Sequence, residues 1–184
     1  MAATFEFDED NGAATGSPAK GTTRTTARTE VNWKNIDDST TAYSSSPITA
    51  GNNSYQKNQF GKFTGTFNQI GGNGLFAHTS TAFGSNLTLK GVPNCTGDAD
   101  RYIYVTPSTT ADTGLTKDMT TAVAIGSGVT VCFGATGPEA TGKATTSTNA
   151  TTYSNYLTTQ LQTAVGAAAG DTATVTLTLQ YSEN

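Results

Sequence analysis

The sequence predicts an all-β fold: a single antiparallel β-sandwich or jelly-roll-like domain with an extended N-terminal arm. Three observations carry that expectation. The stretch Asp171 to Ser182, DTATVTLTLQYS, sets Ala173, Val175, Leu177, Leu179 and Tyr181 against Thr172, Thr174, Thr176, Thr178 and Gln180, and an unbroken period of two buries its apolar set only in a sheet. Further short alternating segments are separated by Gly, Asn and Ser turns, as in sandwiches and jelly rolls. The composition agrees, with 38 threonines and 20 glycines in 184 residues, because β-branched residues fit strands and glycine fits turns.

Taken in order, residues 4–7, TFEF, form a short first strand through Phe5 and Phe7. From Asn11 to Thr29 no period emerges. That stretch is expected to be an extended arm, with Lys20, Arg24 and Arg28 either solvated or meeting acidic surface on another subunit. Residues 1–30 are therefore set apart as strand plus arm, and residues 31–184 as the β-sandwich domain.

Val31, Trp33 and Asn35 share one face of the next expected strand. Trp33 is the only tryptophan and is read as a core anchor, with an exposed carbohydrate-stacking platform as the alternative. Ser46 to Tyr55 reads as a loop. Gln59 to Ile70 is expected to be one strand with Phe63, Gly65 and Phe67 pointing inward, followed by a turn at Gly71 to Gly74. Asn86 to Val92 and Arg101 to Thr106 are short strands, and Ala122 to Phe133 is one bulged strand or two short ones. Gly134 to Thr152 is an exposed loop. Tyr153 to Val165 fits either a helix or a strand; its β-branched Thr158, Thr159 and Thr163 favour a strand, expected to pair with the C-terminal one. The core anchors are thus Trp33, Phe63, Phe67, Leu177, Leu179 and Tyr181.

Charged residues are only 13% of the chain, with a net charge of −4. Nucleic acid is not expected as a partner, because phosphate binding needs clustered cations. The start of the chain is acidic and lacks the basic and apolar regions of a signal peptide, and no apolar run is long enough for a membrane helix. Cys95 and Cys132 permit one disulfide but two small buried thiols is the simpler reading, and neither fits a metal motif.

No catalytic, cofactor or metal residue is expected. His78 is the only histidine and no nucleophile elbow accompanies it. The acidic pairs Glu9/Asp10, Asp37/Asp38 and Asp98/Asp100 are the carboxylates a glycoside hydrolase would need, but nothing in the sequence makes any two converge across a cleft; Asp98 and Asp100 are read as a solvated turn, with a surface calcium as the alternative. Asp8 to Gly12 begins like a calcium loop, but Ala19 stands where its last carboxylate belongs. The sequons at Asn52, Asn86, Asn94 and Asn149 matter only in a glycosylating pathway.

WKNIDD at Trp33 to Asp38, PITAGNNSYQK at Pro47 to Lys57, KFTGTFNQI at Lys62 to Ile70 and LTLQYSEN at Leu177 to Asn184 resemble small virion structural proteins of tailed bacteriophages. The resemblance implies a β-sandwich assembled on a virion and supplies no functional residue. The expectation is a non-enzymatic capsid decoration, or cement, protein that bridges capsid subunits. Its partners would be the major capsid protein or tail proteins, and its own copies as a homo-oligomer. A tail, baseplate or fibre component is the alternative within that class. A module binding carbohydrate or a host surface glycan, through Trp33, Tyr43, Tyr55, Tyr102, Tyr104 and Tyr156, is a second alternative.

Overall fold

The structure, a computed structural model, describes residues 3–17, 19–67, 70–78, 84–91, 104–120, 129–132, 147–148, 151–168 and 176–183. It is all-β. The strands are β1 (Thr4–Thr15), β2 (Lys20–Thr25), β3 (Lys57–Thr64), β4 (Thr66–Phe67), β5 (Ile70–His78), β6 (Leu87–Gly91), β7 (Lys117–Asp118), β8 (Val129–Cys132), β9 (Ser147–Thr148), β10 (Thr152–Tyr153), β11 (Leu157–Thr163) and β12 (Leu177–Glu183). A 3-10 turn at Tyr43–Ser45 is the only helical element among the described residues.

The main sheet is antiparallel and runs β2-β1-β3-β11-β6-β7, with β10 also paired to β3. A second sheet runs β12-β5-β8, and β4 pairs with β9. In the main sheet β1 and β3 are in register from Thr4↔Thr64 to Asp10↔Asn58, and β11 joins β3 at Leu157↔Gln59. Alternation along these strands sends Phe5, Phe7 and Glu9 to the same face as Phe63, Gly61 and Gln59, and Glu6, Asp8 and Asp10 to the other.

On the first face the core gathers Phe63, Phe67, Leu89, Met119, Leu157, Leu161 and Leu179, with Phe5, Trp33 and Tyr181 packed against it. The Tyr181 ring meets Phe63 edge-on at 4.7 Å and lies 5.8 Å from Phe5, so the apolar side of β12 covers this end of the main sheet. Gly61 makes that approach feasible: a Cβ there would sit 2.8 Å from Leu179 Cδ2 and 2.8 Å from the Phe5 ring. The second face carries a smaller cluster of Phe60, Tyr104 and Tyr156.

Several expectations are corrected. The segment read as an extended arm is a β-hairpin in the main sheet: β1 runs on to Thr15 and β2 pairs back with it through Asp10↔Arg24 and Thr15↔Lys20. Threonine there supplies strand propensity without an apolar period to reveal it. No strand forms around Trp33; residues 26–42 run without strand pairing. Gly65 does not point inward. It is exposed with φ +105°, a conformation glycine adopts without strain, and it ends β3 so that Thr66 and Phe67 pair instead with β9. The glycine-rich Gly71 to Gly74 lies inside β5 rather than in a turn.

Residues 157–163 form a strand, as their threonines suggest, but β11 pairs with β3 and β6. The C-terminal strand pairs with β5 and begins at Leu177; residues 171–175 lie outside the described residues. Tyr104 to Thr106 are not in a strand. Residues 101–103, Cys95, Asp98, Asp100, Asn94 and Asn149 lie outside the described residues, as does most of the 134–152 loop.

Candidate functional site

The most unusual chemistry lies inside the sheet. Asp8, Glu9, Asp10 and Asn11 are consecutive, all buried, and all in β1. Because a strand alternates, Glu9 and Asn11 enter one face and Asp8 and Asp10 the other. Burying charge is unfavourable unless each group finds a partner, and each face supplies its own.

On the Glu9 face, Glu9 Oε1 accepts from Lys57 Nζ at 3.2 Å, Asn11 Nδ2 at 3.1 Å and Ser39 Oγ at 2.9 Å. The Lys57 and Glu9 side chains are each 1% exposed. Lys57 Nζ also donates to the Asp38 carbonyl at 2.8 Å. Asn11 Nδ2 reaches Asp37 Oδ1 at 2.9 Å, and Ser39 Oγ lies within bonding distance of Asn11 Oδ1. Burial pushes the Lys57 ammonium below its ordinary range, with Glu9 opposing the shift. Beside it, Lys34 Nζ donates to Asp38 Oδ1 at 2.6 Å and to the Thr41 carbonyl at 2.5 Å. Burial would raise Asp38; the bonds from Lys34 and Thr41 outweigh it and hold this carboxyl well below the usual range.

On the opposite face, Arg24 grips Asp10 with two of its nitrogens, Nε to Oδ1 at 2.8 Å and Nη2 to Oδ2 at 3.0 Å. The Tyr156 hydroxyl donates to Asp10 Oδ2. The Arg24 guanidinium sits 4.8 Å from the centre of the Phe60 ring, a cation–π contact that shields the ion pair. Tyr104 donates to the Gly12 carbonyl at 2.6 Å. Burial, reinforced by nearby carboxylates, raises both Tyr104 and Tyr156. Asp8 accepts from the Ala27 amide at 3.0 Å, and burial raises its carboxyl. Further along this face, Gln160 is enclosed: its Nε2 donates to the Ser54 and Thr110 carbonyls, each at 3.0 Å, and its Oε1 accepts from the Asp112 amide at 3.1 Å.

Of the three cations read as an arm, Arg24 is bound within its own chain, Arg28 reaches the Glu30 carbonyl at 3.1 Å, and Lys20 opens β2 opposite Thr15. The core anchors Phe63, Phe67 and Leu179 are buried, while Trp33, Leu177 and Tyr181 are half-buried. The aromatic side chains considered for a sugar platform are not gathered at the surface: Tyr104 and Tyr156 are buried, Tyr55 is half-buried and Tyr43 exposed; Tyr102 lies outside the described residues. Among the described residues no group of three His, Cys, Asp or Glu side chains is placed to hold a metal ion.

The sequence alone does not join Glu9, Asn11, Lys57 and Ser39 on one face of the sheet, or Asp10, Arg24 and Tyr156 on the other. A usable signal was present: the acidic run continues the alternation begun by Phe5 and Phe7. No protein-family model matches the chain, and the searches of curated proteins and of solved structures gave no match.

Proposed function

We propose that the protein is a non-enzymatic structural component of a bacteriophage virion, a decoration protein that sits on the capsid shell and bridges neighbouring subunits. The observation that carries this reading is an inverted charge distribution. Asp8, Glu9, Asp10, Lys34 and Lys57 are buried and most other charges among the described residues are half-buried, whereas the exposed positions among them are mostly Thr, Ser, Gly, Ala and Asn, with Glu30 and Asp118 the only exposed charges. Charged groups are depleted at the centres of protein interfaces because they must be stripped of water there. A surface of hydroxyls and small side chains associates with little such cost, and internal ion pairs give it a rigid support. That combination suits a part that is built once into a larger assembly.

The test is to locate the chain in purified particles by cryo-electron microscopy. Density on the outer face of the head, bridging adjacent capsid subunits, is the expected result. Density confined to the tail, baseplate or fibres would replace decoration with the tail reading. Absence from particles, combined with binding on a glycan array, would favour the carbohydrate module.

A further inference from the structure

We propose that Lys57 and Asn11 join in an intramolecular amide bond between Lys57 Nζ and Asn11 Cγ, formed by the folded chain itself with Glu9 as proton carrier. This concerns the interior of the single chain and does not depend on the virion reading. The two residues belong to neighbouring strands. The β1–β3 ladder runs to Asp10↔Asn58, so the next step in register sets Asn11 opposite Lys57 on the same face, where directly opposed Cβ atoms lie about 5 Å apart.

The groups such a reaction needs are present, with Lys57, Asn11, Glu9 and Ser39 all buried. Lys57 Nζ is the nucleophile and touches Glu9 Oε1 at 3.2 Å; the same oxygen accepts from Asn11 Nδ2 at 3.1 Å. One carboxylate oxygen therefore bridges the amine that must lose a proton and the amide nitrogen that must gain one. Ser39 Oγ lies within bonding distance of both Glu9 Oε1 and Asn11 Oδ1, so its single hydroxyl proton can turn from the carboxylate to the oxygen on which negative charge develops, the role of an oxyanion-hole donor. Asp37 Oδ1 holds the leaving nitrogen at 2.9 Å. Burial lowers the proton affinity of Lys57, which favours the neutral amine that attacks.

The step balances without a co-reactant. Glu9 takes a proton from the Lys57 ammonium, and the freed amine adds to Asn11 Cγ as the carbonyl pair moves onto Oδ1, facing Ser39. Glu9 hands that proton on to Nδ2 and takes a second one from Nζ, the Cγ–Nδ2 bond breaks, and the released ammonia carries the second proton away as ammonium, which returns Glu9 to its carboxylate. The product is a secondary amide. Two groups fixed side by side in a dry site react with high effective molarity, which is how so unreactive a pair would couple slowly after folding.

A competing fate exists, because Asn11 precedes Gly12 and the backbone nitrogen of a following glycine can attack the same carbon. Here that nitrogen donates to Asp37 Oδ2 at 2.8 Å, which holds it in another bond.

Intact-mass measurement on the purified full chain tests the proposal. The expected result is a mass one ammonia below that of the sequence, after allowance for Met1, with a tryptic species that links Met1–Lys20 to Asn35–Lys62 through an uncleaved Lys57. Lys57→Met restores the full mass, and Glu9→Gln slows or abolishes the loss. A full mass in the wild-type chain overturns the proposal. So does an ammonia loss that maps to an unlinked peptide containing Asn11 and Gly12, the mark of a succinimide, or one that persists in folded Lys57→Met. Should either variant fail to fold, the linked peptide in the wild-type digest decides alone.

Discussion

Two ends of one sheet face are held by opposite means. At one end of β1 and β3, Phe5 and Phe63 meet Leu179 and Tyr181 from β12, and shape decides the fit. At the other, Glu9, Asn11 and Lys57 meet Ser39 and Asp37, and every atom depends on a named partner. Apolar packing degrades in proportion to the volume removed. A buried ion pair behaves differently, because deleting one member leaves the other uncompensated. The same two strands therefore carry a graded region beside a nearly all-or-none one.

The sharpest way to break the comparison is Glu9→Ala, which leaves the Lys57 ammonium buried without its carboxylate. Denaturant unfolding should show a loss of about 3–5 kcal/mol. Combining Glu9→Leu with Lys57→Met removes both charges and should recover a large part of that loss; equal damage from single and double variants would show that charge is not the issue. At the apolar end, Leu179→Ala should cost about 2–4 kcal/mol by opening a cavity. Gly61→Ala should cost about 1–3 kcal/mol, because its Cβ would press on Leu179 and Phe5; a neutral result would mean that β12 is not seated there.

A smaller effect concerns alkali. Tyr104 and Tyr156 hold their protons in the fold to higher pH than free tyrosine, whose ordinary value is 10.0. The folded chain then binds more protons than the unfolded chain, so these groups make stability fall as pH rises above that value. In chain not yet joined at Lys57, this amine, shifted down from 10.5, acts in the other direction, adding stability as pH rises from its folded value to 10.5. Unfolding midpoints of that unlinked chain should therefore decline clearly only above about pH 10.5, with tyrosinate absorbance from the two buried rings appearing together with unfolding. The smallest effect is expected from Lys62→Ala. Its 2.5 Å pair with Glu6 is 24% and 32% exposed, and water screens it to under about 1 kcal/mol.

The strand class and the apolar anchors were legible because period two and burial go together: Phe63, Leu89, Leu157, Leu161 and Leu179 all fall where alternation places them. Pairing was less legible. Alternation assigns faces but not neighbours, so β11 was matched to the wrong strand. The glycines misled in both directions, since Gly65 ends a strand on a left-handed turn while Gly71, Gly72 and Gly74 lie within one. The charged interior was concealed by a rule that usually holds, that Asp, Glu and Lys lie at the surface. Nothing local in DEDN announces that Lys57, Arg24 and Tyr156 will arrive from three other strands or strand ends to receive it.

Trp33 carries a practical consequence. Its indole nitrogen donates to Thr159 Oγ1 at 3.1 Å, so the chain's sole tryptophan reports on the contact between the 26–56 connection and the middle strand of the main sheet. Its emission is thus a built-in optical gauge of one seam. Peeling that connection away should shift the emission toward the red before the sheet itself loses its circular dichroism, whereas a single cooperative transition should move both signals together.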